Sequence, residues 1–223
     1  MEFLTISSES TGVYKDRGSK FLAFACPVKT EEEVKEKLDF LRKKYFDARH
    51  HCYAYRLGAG GEYYRASDDG EPANTAGKPI LGQLMAHGVT NVLVVVVRYF
   101  GGILLGTGGL AQAYKQAAAD ALARAEMVTE AVTETYRLSF AYPDLNHVLK
   151  VVKEMNLEYY EQDFNLNCTM KVKIRKSLSG QMKKRLEQVE SLKIVHEFYS
   201  KNLLPSDEIE NHGKQKDTDR KNN

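Results

Sequence analysis

The strongest constraint in this chain is the run from Val92 to Val97, apolar without interruption and bounded by Asn91 and Arg98. An apolar segment without alternation fits a central strand covered on both faces, with Arg98 as its charged end. Gly101, Gly102, Gly106, Gly108 and Gly109 follow, letting the backbone turn tightly and visit positive φ before a helical pattern runs from Leu110 to Ala125. Alanines such as Ala113 and Ala117 combine helix propensity with a small volume that allows close approach to a sheet.

A turn of this kind leaves unpaired N–H groups. With a helix dipole behind them and Arg98 beside them, one reading is an anion-binding corner. The other is that the glycines only let the alanine-rich helix pack closely. No lysine followed by Ser or Thr comes directly after Gly106, and the spacing does not match G-x-G-x-x-G, so neither nucleotide fingerprint is present.

Upstream, Ser67, Asp68, Asp69, Gly70 and Glu71 concentrate carboxylates in one loop. Magnesium could use one or two of them with waters, and phosphoryl or hydrolytic chemistry would follow if a phosphate sat at the glycine turn. Alternatively the carboxylates accept loop N–H groups and pair with Arg98, Lys78 or Arg56, fixing a rigid surface feature. The second use is favoured, because no general base is positioned there by a third group. Pro72 and Pro79 stiffen the loop, and a short helix from Ile80 to His87 leads into the central strand.

Before this stretch the pattern predicts one strand near Leu4 to Val13 and a second at Phe21 to Val28, with Ser19 and Lys20 just ahead of it. Thr30 and Glu33 form a capping box for a helix carrying Val34, Leu38, Leu41 and Tyr45. His50 to Arg56 makes the next strand, and Glu62 to Ala66 returns as its hairpin partner. His50 and Cys52 share a face but lack the companions that tetrahedral zinc needs, and nothing marks Cys52 as an activated thiolate. His50 or His51 is therefore read as a polar neighbour of the acidic loop.

Residues 133–199 follow the order strand, helix, strand, strand, helix, strand, the ferredoxin-like pattern. Met170, Val172 and Ile174 face one way, so Lys171, Lys173 and Arg175 face the other; Arg137 is outward on the first strand. The ferredoxin-like order sets these strands side by side, giving a cationic sheet face for RNA phosphates, with Lys193 as a further candidate. The competing reading is an ordinary solvated surface, since this region counts 11 basic against 9 acidic residues.

A net charge of +2 announces no global polycation. Cys26, Cys52 and Cys168 form no C-x-x-C, which argues against structural zinc or a disulfide framework. The N-terminus lacks a secretory pattern, and no run approaches the ~20 apolar residues of a membrane span. The expectation is a cytoplasmic protein with no membrane association, metal or cofactor.

The segments DRGSKFLAFACPV, DARHHCYAYR, ASDDGEPANTAGKPIL and VVVRYFGGILLGTGGLAQAY, in that order, resemble the bacterial YigZ/YvyE branch of the IMPACT family. One departure is Asn74, where the family more often has glycine; Asn also tolerates a left-handed backbone. The resemblance implies an α+β chain: a domain at 1–132 similar to the second domain of ribosomal protein S5, then a ferredoxin-like domain at 133–200 similar to a carboxy-terminal domain of elongation factor G. Residues 201–223, with little to bury, are expected to be a disordered tail. Family members act in translation control, so the implied function is a non-enzymatic factor contacting RNA, the ribosome or a translation-related protein. Its candidate binding face in the first domain comprises Lys20, His50, His51, Arg56, Asp68, Asp69, Glu71, Arg98, Gly101, Gly102 and Gly106. The competing function is a magnesium-dependent hydrolase or phosphotransferase using Asp68, Asp69 and Glu71.

Overall fold

The computed structural model describes residues 2–197. In chain order it contains β1 (Glu2–Ile6), β2 (Ser10–Asp16), β3 (Ser19–Pro27), α1 (Glu31–Lys44), β4 (His50–Leu57), β5 (Tyr63–Ser67), α2 (Gly77–Ala86), β6 (Val92–Tyr99) and α3 (Gly106–Ala123). These are followed by β7 (Met127–Ala131), β8 (Thr133–Ala141), α4 (Leu145–Glu154), β9 (Glu158–Phe164), β10 (Asn167–Arg175), α5 (Ser179–Leu186) and β11 (Lys193–Glu197). The tail expected at 201–223 and the expected strand end at Tyr199 lie outside the described residues.

The apolar run becomes β6, the middle of a five-stranded sheet ordered β2-β3-β6-β4-β5. Its two faces meet different helices. Val92, Val94 and Val96 pack with Ile80 and Leu84 of α2 and Ala113, Ala117 and Ala121 of α3, whereas Leu93, Val95 and Val97 join Val34, Leu38 and Leu41 of α1. The lack of alternation therefore reports helices on both sides, although every pairing in the sheet is antiparallel. Full burial of each such side chain contributes about 1.5–3 kcal/mol. On α1 the Thr30 hydroxyl accepts the Glu33 N–H, and Glu33 reaches back to the Lys29 N–H, a reciprocal cap shifted by one residue.

The single strand expected over Leu4 to Val13 is two. β1 pairs with β7 in its own two-stranded sheet, while β2 pairs with β3. The break falls at Ser7, whose backbone N–H and hydroxyl donate to the carbonyl and carboxylate of Glu126, so β1 ends beside β7 and the chain turns away. β3 begins earlier than expected, placing Ser19 and Lys20 inside the strand.

From residue 133 onward, β8 to β11 form a four-stranded antiparallel sheet ordered β11-β8-β10-β9. This is the ferredoxin-like arrangement. Leu138, Phe140, Met170 and Val172 pack with Val148 and Val152 of α4 and with Met182 and Leu186 of α5. The fold class is α+β.

Candidate functional site

His50 of β4 and Arg98 of β6 stand opposite each other at one end of the first sheet. Strand parity groups them with Cys52 and Val96, on the side of α2 and α3. The acidic loop crosses this end, and α3 supplies Tyr114. Glu71 Oε1 accepts from Arg98 Nη1 at 2.6 Å and from the Tyr114 hydroxyl at 2.8 Å. The Glu71 and Arg98 side chains are 4% and 8% exposed. Phe21 and Phe100 flank the guanidinium, each ring centroid 5.5 Å from its central carbon.

This corrects the anion-binding corner. Arg98 is turned into the protein, where a guanidinium without a carboxylate would be left as an uncompensated buried charge; Glu71 cancels it. Its Nε remains buried and finds no partner among the described residues.

Asp68 organises the start of α2. Its Oδ1 accepts the Ala76 and Gly77 N–H groups at 2.9 and 2.8 Å, and its Oδ2 accepts the Asn74 N–H at 2.8 Å. Ala76 at the N-cap has no side-chain acceptor, so the cap arrives from eight residues upstream. Asn74 adopts φ +63°, the left-handed conformation its position requires. Asp69 Oδ2 accepts the His51 N–H at 2.6 Å, and its Oδ1 lies 3.4 Å from Arg42 of α1. The Asp69 carbonyl is 2.9 Å from His50 Nδ1, and because a carbonyl only accepts, that nitrogen carries the proton. His50 Nε2 then sits 4.0 Å from Glu71 Oε1.

All three carboxylates of the loop are thus engaged by groups of the fold. Among the described residues no cluster of three or more His, Cys, Asp or Glu side chains is arranged to hold a metal ion. The Cys52 thiol donates to the Asp68 carbonyl at 2.9 Å and lies 3.3 Å from the Tyr114 hydroxyl. Burial pushes its pKa up, which keeps it a thiol rather than a nucleophilic thiolate.

The glycine loop is built on contact. Gly101 donates its N–H to the buried Ser19 hydroxyl at 3.1 Å, and a Cβ there would fall 1.9 Å from the Gly18 carbonyl carbon. Only glycine lets this loop press against the β2–β3 turn. Gly102 and Gly106 take φ +88° and +71°.

Other candidates lie elsewhere. Lys20 pairs in register with Tyr99 and, by parity, belongs to the opposite face of the sheet from Arg98. The His51 side chain is also on that α1 face, 5% exposed, and burial holds its pKa below the usual imidazole value against the opposing pull of the Asp69 charge; its hydrogen bond to the acidic loop is made by its backbone N–H. Arg56 binds the carbonyls of Val89 and Gly60 at 2.8 and 3.2 Å at the far end of β4. Tyr114 and Arg42 escaped the sequence reading. Tyr114 had left one signal, a single aromatic within an otherwise small-residue helix.

On the second sheet, Arg137 and Lys171 are cross-strand neighbours, with Lys173 and Arg175 further along the same outward row. The expected open cationic face is, however, largely an ion-pair network. Lys171 meets Glu161 at 2.5 Å and Glu197 at 3.2 Å, Arg137 meets Glu197 at 2.7 Å, and Lys173 lies 3.8 Å from Glu158. The bond from Arg137 holds the Glu197 carboxyl below its usual pKa, and the bond to Glu161 raises that of Lys171. The neutralising carboxylates come from the flanking strands β9 and β11. Arg175 alone of the four makes no ion pair among the described residues.

A family model described as the Impact N-terminal domain matches residues 17–122. The protein named IMPACT family member YigZ from Escherichia coli K12 is 36% identical over 164 residues, covering 73% of this chain and 80% of the relative. A crystal structure described as a hypothetical protein superposes with a TM-score of 0.72 at 31% identity, covering 89% of this chain and 98% of that one. The structure of Yih1, described as a two-domain translational regulator, matches 55% of this chain and 47% of its own at 34% identity, with a TM-score of 0.35. Among the described residues no helix is long and apolar enough to cross a membrane.

Proposed function

The chain belongs to the IMPACT family, and on that premise we propose that it is a cytoplasmic translation-associated factor that acts by binding rather than by turnover. It docks on the ribosome, on RNA or on a translation-related protein, using the end of the first sheet framed by the acidic and glycine loops. The carrying observation is what the acidic loop does: Asp68, Asp69 and Glu71 hold backbone N–H groups, Arg42, Arg98 and Tyr114. Carboxylates used in this way build a rigid platform. A magnesium ion would compete with these bonds for the same carboxylates.

The test is co-sedimentation of the full chain with ribosomal subunits at low and high salt, beside an assay for magnesium-dependent phosphate release. Association that weakens with salt, without turnover, is the expected result. Magnesium-dependent turnover that disappears in a folded Asp68→Asn or Asp69→Asn variant would overturn the binding reading in favour of the hydrolase.

A further inference from the structure

Across the end of the first sheet, Lys15 pairs in register with Lys20, and Lys20 with Tyr99. Arg49, one residue before the His50 and Arg98 pair, stands next in the same row. Parity puts Lys15, Lys20 and Tyr99 on one face, with adjacent strands ~4.8 Å apart. Arg17 occupies the turn between β2 and β3 that meets Gly101. All four cations are exposed, and among the described residues none makes an ion pair.

One aromatic ring shares this row, and a second lies around the end of the sheet on the Arg98 side. Tyr99 is half-buried and oriented by its hydroxyl, which donates to Asp47 at 2.8 Å. Phe100, the next residue, is 56% exposed, with Arg98 beneath its ring. One register step inward along β2 and β3, Val13 is exposed and Leu22 half-buried, extending the row into an apolar shelf. The acidic residues of the same turns are Asp16 and Asp47, and Asp47 is already engaged by Tyr99.

We propose that this row and the sheet end it borders are a binding site for single-stranded RNA, with Lys15, Arg17, Lys20 and Arg49 meeting phosphates, Tyr99 offering its face within the row and Phe100 offering its face around the end; the inference rests on the translation-associated reading above. Unpaired cations alone would suit any polyanion. Aromatic rings beside them suit one whose charges alternate with flat apolar faces, which polyglutamate lacks. Stacking of this kind carries little base preference.

The probe is a fluorescently labelled twelve-residue oligouridylate, titrated into the full chain across a range of salt, with polyglutamate as competitor. Lys15→Ala, Arg17→Ala and Lys20→Ala together should weaken binding at least tenfold. They should also flatten the slope of log affinity against log salt by about 2, at ~0.7 per phosphate contact on a single strand. Phe100→Ala should weaken binding by about tenfold with the slope unchanged, a readout that a loss of charge would not give. Lys171→Ala, Lys173→Ala and Arg175→Ala together should leave the affinity unchanged. Circular dichroism of each variant confirms folding, and Lys20→Glu alone serves if the triple variant fails that check.

No oligouridylate binding at low salt, equal displacement by polyglutamate, or loss located in the second sheet would overturn the site. If co-sedimentation with ribosomal subunits persists while the oligouridylate does not bind, this inference falls and the broader function stands. If co-sedimentation fails while the oligouridylate binds as described, the reverse holds.

Discussion

Glu71–Arg98 and Glu197–Arg137 are the same chemical pair at nearly the same distance, 2.6 and 2.7 Å. Their surroundings differ. The first pair is 4% and 8% exposed, and the second 26% and 48%. In the first sheet the pair is locked between Phe21, Phe100 and Tyr114, so either partner alone would be a stranded buried charge. In the second, water and salt replace most of what the pair gives. Pairing at the surface subtracts from a binding face; pairing in the interior fixes a shape on which another face can be built.

The sharpest way to break this comparison is to remove one buried partner. Arg98→Ala or Glu71→Ala should destabilise the protein by about 3–5 kcal/mol in urea unfolding. A cost below about 1 kcal/mol would show that the buried pair behaves like a surface one. Asp68→Asn exchanges a doubly accepting carboxylate for an amide at the start of α2, and should cost about 1–2 kcal/mol. Because Asp68 is bonded to three N–H groups, its loss should also lower the thermal midpoint without abolishing the fold.

Glu197→Gln should cost ~0.2–1 kcal/mol, and the effect should shrink as salt is raised. Its pH dependence has a definite sign. The folded Glu197 carboxyl is depressed, so its contribution is complete above the ordinary carboxylate value of about 4.3 and is lost as pH falls through the lower folded value. Lys171 is raised, so its contribution is complete below about 10.4 and is lost as pH rises through the higher folded value. The Glu197→Gln variant should therefore lose its share of the acid limb only. The smallest effect is expected from dividing the chain: we propose that residues 1–132 fold alone, with an unfolding midpoint close to that of the first transition of the full chain, measured by denaturant melts. An insoluble or non-cooperative fragment would remove that division.

Much of the fold was legible because its signals are local. The run of β6, the alanines of α3, the Thr30 cap and the alternation in β8 and β10 each state their element within a few residues. The division of β1 from β2 was not, because the Ser7 bend is fixed by Glu126 at the other end of the domain. The site was legible in part for the same reason. Parity placed Arg56 on the correct face with His50, but six residues along a strand is ~20 Å, and it serves carbonyls at the opposite end. Parity likewise separates the His51 side chain from His50, a distinction the sequence allowed. Tyr114 reaches Glu71 across 43 residues, and the carboxylates that quench the second sheet arrive from β9 and β11; neither proximity leaves a pattern in the chain.

The cysteines of this protein sit where they can keep time. Cys52 lies under the acidic loop, its thiol donating to the Asp68 carbonyl, while Cys168 is enclosed in the core of the second sheet and Cys26 is buried in β3 with its pKa pushed up to about 12. None is joined in a disulfide. A thiol reagent added to the native protein can reach each only when its own cover lifts, so three labelling rates become three separate clocks. The clock at Cys52 counts how often the platform comes apart, in a protein that carries its own reporter at the place where docking would hold it still.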